Sequence, residues 1–489
     1  MSRLVMTTLL GLAVSSLLGS SAAAAERPNI VWIIVEDMSP HFGCYGETTI
    51  KTPNVDALAA EGTRFSRAFT TGPICSISRS ALITGMYQTS IGAQHHRSGR
   101  GVEKIQLPAG VELLPVLFQR AGYHTSNSAW PSKGYQIGKT DYNFEWDEKM
   151  YEGSDWSGRE AGQPFFAQIQ LHGGKYRDAA NWRQQATKLL PSVTNPADVR
   201  LPPYYPDVPA LREDWANALD AVRYTDVQVG EIVARLKQEN VLESTVIFFI
   251  TDHGISTARG KQFLYDEGTH IPFIVCGPGI EAGKVRDDLI EHIDMAAASL
   301  ALAGIPIQRT TQGRDIFAKD YQPRDVVFAA RDRADETVER IRSVRSERYK
   351  YIRNFYPQRP HLQPNNYKDH KPCLIALRQS RADGKLTDLQ EQLLFSPTRP
   401  AEELYDLTAD RWEMKNLASD PAHASTLQEM RQRLDRWIEA TSDRGRTPES
   451  AKMYDSDMDV YLGSAGTKGR NEQLEKNIAL MKQWAAEGK

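Results

Sequence analysis

A layered α/β fold, with a large mainly parallel sheet flanked by helices, is what this 489-residue sequence predicts. Three observations predict it. Residues 29–35, Asn29-Ile30-Val31-Trp32-Ile33-Ile34-Val35, form a nearly unbroken apolar run, and residues 165–169, 245–250 and 273–276 form three more. Such runs suit strands buried on both faces of a parallel sheet, where neither side meets water. Helical patterns lie between them. The clearest spans 211–236 and sets Trp215, Leu219, Val222, Val229, Ile232 and Leu236 on one face. Strands that alternate with helices imply α/β layering, and a change of texture after about residue 320 implies a second, smaller part.

From the N-terminus, Arg3, the apolar stretch 9–18 and Ala22-Ala23-Ala24-Ala25 before Glu26 read as a secretory leader over 1–25. The apolar stretch is shorter than the ~20 residues a membrane span needs, and no later segment approaches that length. The expectation is an exported protein, periplasmic or extracellular, with no stable membrane anchor. Residues 26–320 carry the strand and helix runs and form the expected catalytic domain. Residues 321–489 form the expected C-terminal subdomain. It holds a charged, aromatic stretch at 341–355, the segment Glu403-Leu404-Tyr405-Asp406-Leu407 and an amphipathic helix over 427–440. Residues 357–400 are polar and proline-containing, so an insertion or long loop is expected there. The charged tail 466–489 is expected to be an exposed helix.

Net charge is −3, which argues against a general nucleic-acid binder and requires any anion site to be local. The four cysteines, Cys44, Cys75, Cys276 and Cys373, are too few for a disulfide framework, and no Cys/His spacing suits zinc.

Candidate chemistry gathers at strand ends. The first run ends in Glu36-Asp37, and the 245–250 run ends in Thr251-Asp252-His253-Gly254. Ligands of open α/β sheets bind beyond the carboxyl ends of the strands, and paired carboxylates suit Ca²⁺ or Mg²⁺. Taken singly, each acid could equally cap the next helix. Cys75-Ser76-Ile77-Ser78-Arg79, followed by Ser80-Ala81-Leu82-Ile83-Thr84-Gly85, places a thiol four residues before a guanidinium. Lys139 in Gly138-Lys139-Thr140-Asp141, Lys261 in Gly260-Lys261-Gln262-Phe263, His172 after the 165–169 run, and His95 and His96 complete the candidates.

In combination these segments resemble the sulfatases. The resemblance runs over roughly residues 28–440 and implies an alkaline-phosphatase-like sandwich with a small antiparallel C-terminal sheet. It also implies oxidation of Cys75 to formylglycine by a maturation enzyme. One oxygen of the aldehyde hydrate attacks sulfur and the other expels sulfate. The family pattern is Cys-x-Pro-x-Arg, and Ile77 stands at the Pro position. The family binds Ca²⁺ through residues matching Glu36, Asp37, Cys75, Asp252 and His253, and it acts through residues matching Cys75, Arg79, Lys139, His172 and Lys261. Asp141 stands where the family has a second His, and His95 and His96 are candidate replacements that contact substrate. With Cys75 oxidised, at most one disulfide remains possible. The short Asp252-to-Lys261 spacing resembles the heparan N-sulfatase branch, so the expected substrate is a sulfated glycan or another sulfate ester. A phosphoester or phosphonate hydrolase of the same superfamily and a catalytically inactive glycan-binding protein are the alternatives.

Overall fold

Alternation along the first strand sets the architecture. In the computed structural model, which describes residues 27–131, 137–464 and 468–489, strand β1 (Asn29–Val35) is buried along its whole length. Val31, Ile33 and Val35 enter one apolar cluster, while Ile30, Trp32 and Ile34 enter another on the opposite face. A strand covered on both sides has no water-facing register, which is why its sequence is continuously apolar. The helix Pro209–Gln238 covers the first face through Leu211, Leu219, Val229 and Ile232. The helices Cys75–Thr84, Leu114–Arg120 and Asp294–Leu302 cover the second. The leader read at 1–25 lies outside the described residues. Among the described residues, no helix is long and apolar enough to cross a membrane.

The main sheet also contains β2 (Gly62–Phe69), β3 (His124–Ala129), β4 (Phe165–Leu171), β5 (Thr245–Thr251), β6 (His270–Cys276), β7 (Lys284–Arg286) and β8 (Ile290–Glu291). Its order is β3-β4-β1-β5-β6-β2-β7, and β8 pairs with β2. Strands β3, β4, β1 and β5 run parallel, whereas β6 runs antiparallel to both β5 and β2. The parallel reading of the 273–276 run is therefore corrected. A doubly buried strand is apolar in either direction, so its composition does not carry its polarity.

Register places the strand ends together. Val35 pairs with Leu171 on one side and with Thr251 on the other. Glu36-Asp37, His172 and Asp252-His253 therefore emerge side by side at one sheet edge. Phe69 at the end of β2 pairs with His270 at the start of β6, so the segment leading to Cys75 arrives at the same edge. The loop that carries Lys261 enters β6 from there as well.

A second sheet, β12-β11-β10-β9, is antiparallel and consists of β9 (Val326–Arg331), β10 (Ile341–Ser346), β11 (Tyr349–Asn354) and β12 (Glu402–Asp406). The amphipathic helix Ala424–Ala440 packs on it through Leu427, Met430, Leu434 and Trp437. Residues 357–400 are not a plain loop. They contain the helices Asn366–Asp369, Pro372–Ala382 and Asp388–Phe395. Cys373, Leu374, Leu377 and Leu394 join the main core, and Thr387 and Gln390 form a capping box. The tail helix Lys468–Ala486 is not wholly exposed, because Leu474, Ile478 and Met481 pack on Tyr454 and Met458. All four cysteines are free.

Candidate active site

The tight exit from β1 builds the first wall. Asp37 adopts a left-handed backbone with φ 56°, which turns its carboxylate back across the sheet edge. Gly173 and Gly174 pass so close that a Cβ on either would sit 2.4 Å from the Glu36 carbonyl or 2.1 Å from the Asp37 carbonyl. Only glycine lets the two loops pack at that distance. The second wall is the helix Cys75–Thr84, whose first residue is Cys75 and whose first backbone bond runs from Ser78 N–H to the Ile74 carbonyl. The earlier N–H groups thus stay free of the helix, a setting that favours an anion at its N-terminus.

Cys75 Sγ lies 3.2 Å from Lys261 Nζ, 3.3 Å from His253 Nε2 and 3.8 Å from Asp37 Oδ1. Lys261 Nζ also donates to both Asp37 oxygens at 3.0 Å. His253 Nε2 is 3.4 Å from Asp37 Oδ1 and 3.5 Å from Asp252 Oδ1. Its Nδ1 faces the Gly254 carbonyl at 2.9 Å. A ring that donates there presents the Nε2 lone pair to the cluster. Potential ligand atoms of Asp37, Cys75, Asp252 and His253 all fall within 4.8 Å of one another, and Asp252 Oδ2 is buried without a hydrogen-bond partner. The residues present fit a divalent cation at this point.

Glu36 stands outside that group of four. Its carboxylate pairs with Lys139 Nζ at 2.7 Å, Arg79 Nη2 at 3.2 Å and Lys175. Arg79 is buried and bridges Glu36 to Asp252 Oδ2 at 3.4 Å, while its Nη1 donates to Gln170 at 2.6 Å. Lys139 is held at the pocket because Gly138 exchanges hydrogen bonds with Asn127 of β3. Asp141, at the position of the absent His, pairs with Arg100 and lies 3.6 Å from Lys139 Nζ. In this inner ring four cations, Arg79, Lys139, Lys175 and Lys261, face four carboxylates, Glu36, Asp37, Asp141 and Asp252. The cations are concentrated around Cys75, so an anion seated there meets fixed positive charge although the ring as a whole is balanced.

The titration of the site follows from these pairs. Burial pushes the Cys75 thiol up, and Lys139, Lys175 and Lys261 overcome it, bringing it down to about 6. Burial opposes the charged form of Glu36 as well, and Lys139, Lys175 and Arg79 bring its carboxyl from 4.5 to about 2. The stability it contributes is therefore fully present above pH 4.5 and is lost as pH falls towards 2. That contribution is on the order of 3 kcal/mol. Denaturant unfolding of wild type and Glu36→Gln should show a gap that narrows as pH falls through this window. A gap that stays constant from pH 6 to 2.5 would show that the ion pairs add nothing.

His172 is exposed at the rim, edge-on to Tyr176 with ring centroids 4.8 Å apart. The two adjacent histidines part company. His96 is buried, with Nδ1 2.7 Å from Ser76 Oγ and Nε2 3.5 Å from Asp335. His95 accepts from the Arg333 N–H at 3.2 Å and lines a separate 490 Å³ cavity with Glu449 and Tyr454. His95 therefore lies beside a different cavity from the side chain of His96, because successive side chains on an irregular segment point apart. His96 reaches the helix Cys75–Thr84 through Ser76.

Sequence reasoning missed three groups of the site. Lys175 was within reach of the strand-end rule, three residues after His172. Gln170 is the penultimate residue of β4, buried next to that end. Tyr367, whose hydroxyl touches Asp37 and Lys261, gave no signal.

Comparison with known proteins agrees with this geometry. The sulfatase family model matches residues 28–305, and the N-sulphoglucosamine sulphohydrolase C-terminal model matches residues 253–369. An ulvan-active sulfatase of Formosa agariphila is 32% identical over 470 residues, covering 87% of this chain and 77% of the relative. Human N-sulphoglucosamine sulphohydrolase is 26% identical over 464 residues, covering 86% and 91%. The phosphonate monoester hydrolase of Silicibacter pomeroyi superposes with a TM-score of 0.56 at 18% identity, covering 85% and 96%, a likeness of fold alone. The architecture is the alkaline-phosphatase-like sandwich. A family match over more than half the chain, together with a relative at that identity along most of its length, decides the matter: this chain belongs to the sulfatase family, the hydrolases of sulfuric esters and sulfamates.

Proposed function

We propose that this sulfatase removes sulfate from a sulfated glycan, using formylglycine made from Cys75 and one Ca²⁺. The observation that carries the reading is the seat of Cys75. Its Sγ heads a helix and lies within 3.2–3.8 Å of Lys261, His253 and Asp37. In this reading Cys75 would act as the nucleophile beside Lys261, one of the cations that would hold the sulfate. Oxidised to the aldehyde and hydrated, Cys75 would supply one oxygen to attack sulfur and a second to expel sulfate. A Ca²⁺ held by Asp37 and Asp252, with His253 beside them, would supply charge that polarises the sulfate oxygens. Lys139 and His172 are more exposed than Arg79 and Lys261, so they would be the groups that meet the departing alcohol or amine.

The names of the two relatives support a sulfated sugar as substrate. Arg3, the apolar stretch 9–18 and the alanines before Glu26 support export, with a maturation enzyme acting on Cys75. Two measurements test the reading. The tryptic peptide 68–79 from native-host protein should show the mass loss of thiol-to-aldehyde conversion. Aryl sulfate should be turned over much faster than aryl phosphate when the two are assayed side by side. The fold shared with the phosphonate monoester hydrolase favours the second reading enough to require that comparison. An unmodified thiol with no hydrolysis of any sulfate ester would favour a glycan-binding protein instead.

A further inference from the structure

Tyr367 stands on the short helix Asn366–Asp369 within the polar segment 357–400, and buried tethers hold it at the catalytic pocket. Asn365 Nδ2 donates to the Ala334 carbonyl at 3.0 Å and to Thr337 Oγ1 at 2.9 Å, while its Oδ1 accepts from Lys368 N–H at 2.9 Å. Lys368 Nζ donates to the Thr257 carbonyl at 2.6 Å, on the same loop as Lys261. Two ammonium groups lie over the tyrosine ring, Lys261 at 4.7 Å and Lys371 at 4.2 Å from its centroid. Lys371 is itself paired with Asp178.

The hydroxyl direction follows from the inventory of donors. Lys261 has only protons to give, so at 3.3 Å the tyrosine oxygen accepts from it. Its own proton therefore goes to Asp37 Oδ2, 3.2 Å away. Lys261 donates to both Asp37 oxygens and Tyr367 to Oδ2 alone, so Oδ1 is the oxygen that also meets His253 and Cys75. Lysine is a flexible side chain that loses rotamer freedom when it is fixed. Here the ring, the hydroxyl and Asp37 together hold its ammonium 3.2 Å from the Cys75 sulfur.

We infer that Tyr367 is a positioning residue for sulfate-ester hydrolysis. It acts through Lys261 and Asp37, fixing the ammonium on the sulfate seat and setting which Asp37 oxygen faces the nucleophile. The inference rests on the sulfatase reading of the site.

The test is a double-mutant cycle on the full chain with 4-nitrophenyl sulfate, joined to calorimetric titration with inorganic sulfate. Tyr367→Phe keeps the ring and removes only the hydroxyl. It should lower kcat by roughly 10- to 100-fold, with KM changed by less than about 3-fold. It should weaken sulfate binding by about 5-fold or more, with the melting temperature within ~2 °C of wild type. In a Lys261→Ala background the further loss from Tyr367→Phe should shrink to under about 3-fold, because the residue acts through that lysine. Unchanged kinetics and sulfate affinity in Tyr367→Phe would overturn the inference. So would a loss of equal size with and without Lys261. A wild type silent on 4-nitrophenyl sulfate would exclude only that ester as substrate, and the sulfate titration of wild type and Tyr367→Phe would then decide the role of Tyr367.

Discussion

Cys75→Ser is expected to give a protein that turns over at most once and keeps the sulfate. The substitution is small and local, because Cys75 is buried at the first position of its helix and serine fits there without displacing a neighbour. A serine hydroxyl beside Lys261 and His253 can still attack sulfur. It has no second oxygen on the same carbon, so nothing expels the sulfate by returning to an aldehyde. Peptide 68–79 should therefore gain covalent sulfate after incubation with substrate, and steady-state kcat should fall by at least about 10³-fold, roughly 4 kcal/mol. The mass of the same peptide reports whether the serine itself stays unmodified.

Ile77→Pro is the companion variant. Ile77 precedes the first bonded N–H of the helix, that of Ser78, so a proline there costs no helix hydrogen bond. It does remove side-chain packing against Gly72 and Ala334. If Ile77 slows the maturing enzyme, the aldehyde fraction should rise in Ile77→Pro. A native Cys75 that remains a thiol while the protein hydrolyses sulfate esters at full rate would refute the formylglycine reading.

The site was legible wherever it rests on strand ends. Parallel strands in register deliver their following residues to one edge, so Glu36-Asp37 and Asp252-His253 could be brought together before any coordinates. Cys75, Arg79, Lys139 and Lys261 were legible through the company they keep, since a single lysine or cysteine carries no signal of its own. Strand β3 was not legible. Its Thr125, Ser126, Asn127 and Ser128 are buried polar residues, and partners such as Gln170, which donates to Asn127 at 3.0 Å, satisfy them. Hydropathy registers the polar atoms and not the bonds that compensate them. The direction of β6 was hidden for the opposite reason, because an apolar run is blind to polarity. Tyr367 had no route to recognition. It reaches Asp37 across 330 residues of sequence, from a segment whose composition reads as loop. Lys175 could have been found, since it lies just beyond the end of β4, at the same sheet edge that Asp37 reaches from β1.

Asp252→Ala is expected to abolish hydrolysis while leaving the fold largely in place. Asp252 is fully buried at the end of β5, and its backbone N–H remains bonded to the Val35 carbonyl whatever the side chain. The loss falls on the pocket. Oδ1 no longer accepts from the Asp37 N–H, Oδ2 no longer faces Arg79, and the group of four potential metal ligands drops to three. Arg79 keeps Glu36 and Gln170 as partners, so it is not stranded as an unpaired buried cation. Catalysis should fall by about 10³-fold or more if the proposed Ca²⁺ is lost with its ligand, because the cation that would stabilise the sulfate oxygens goes with it. Calcium provides a readout independent of activity. In wild type, added Ca²⁺ should raise the melting temperature, and the rise should continue with the logarithm of its concentration above Kd. In Asp252→Ala that rise should be absent or need far higher concentration, and Asp252→Asn, which keeps the shape and loses the charge, should fall between the two. Full activity of wild type after exhaustive chelation, with no thermal response to Ca²⁺, would sink the metal reading and leave Asp252 as the partner of Arg79 alone.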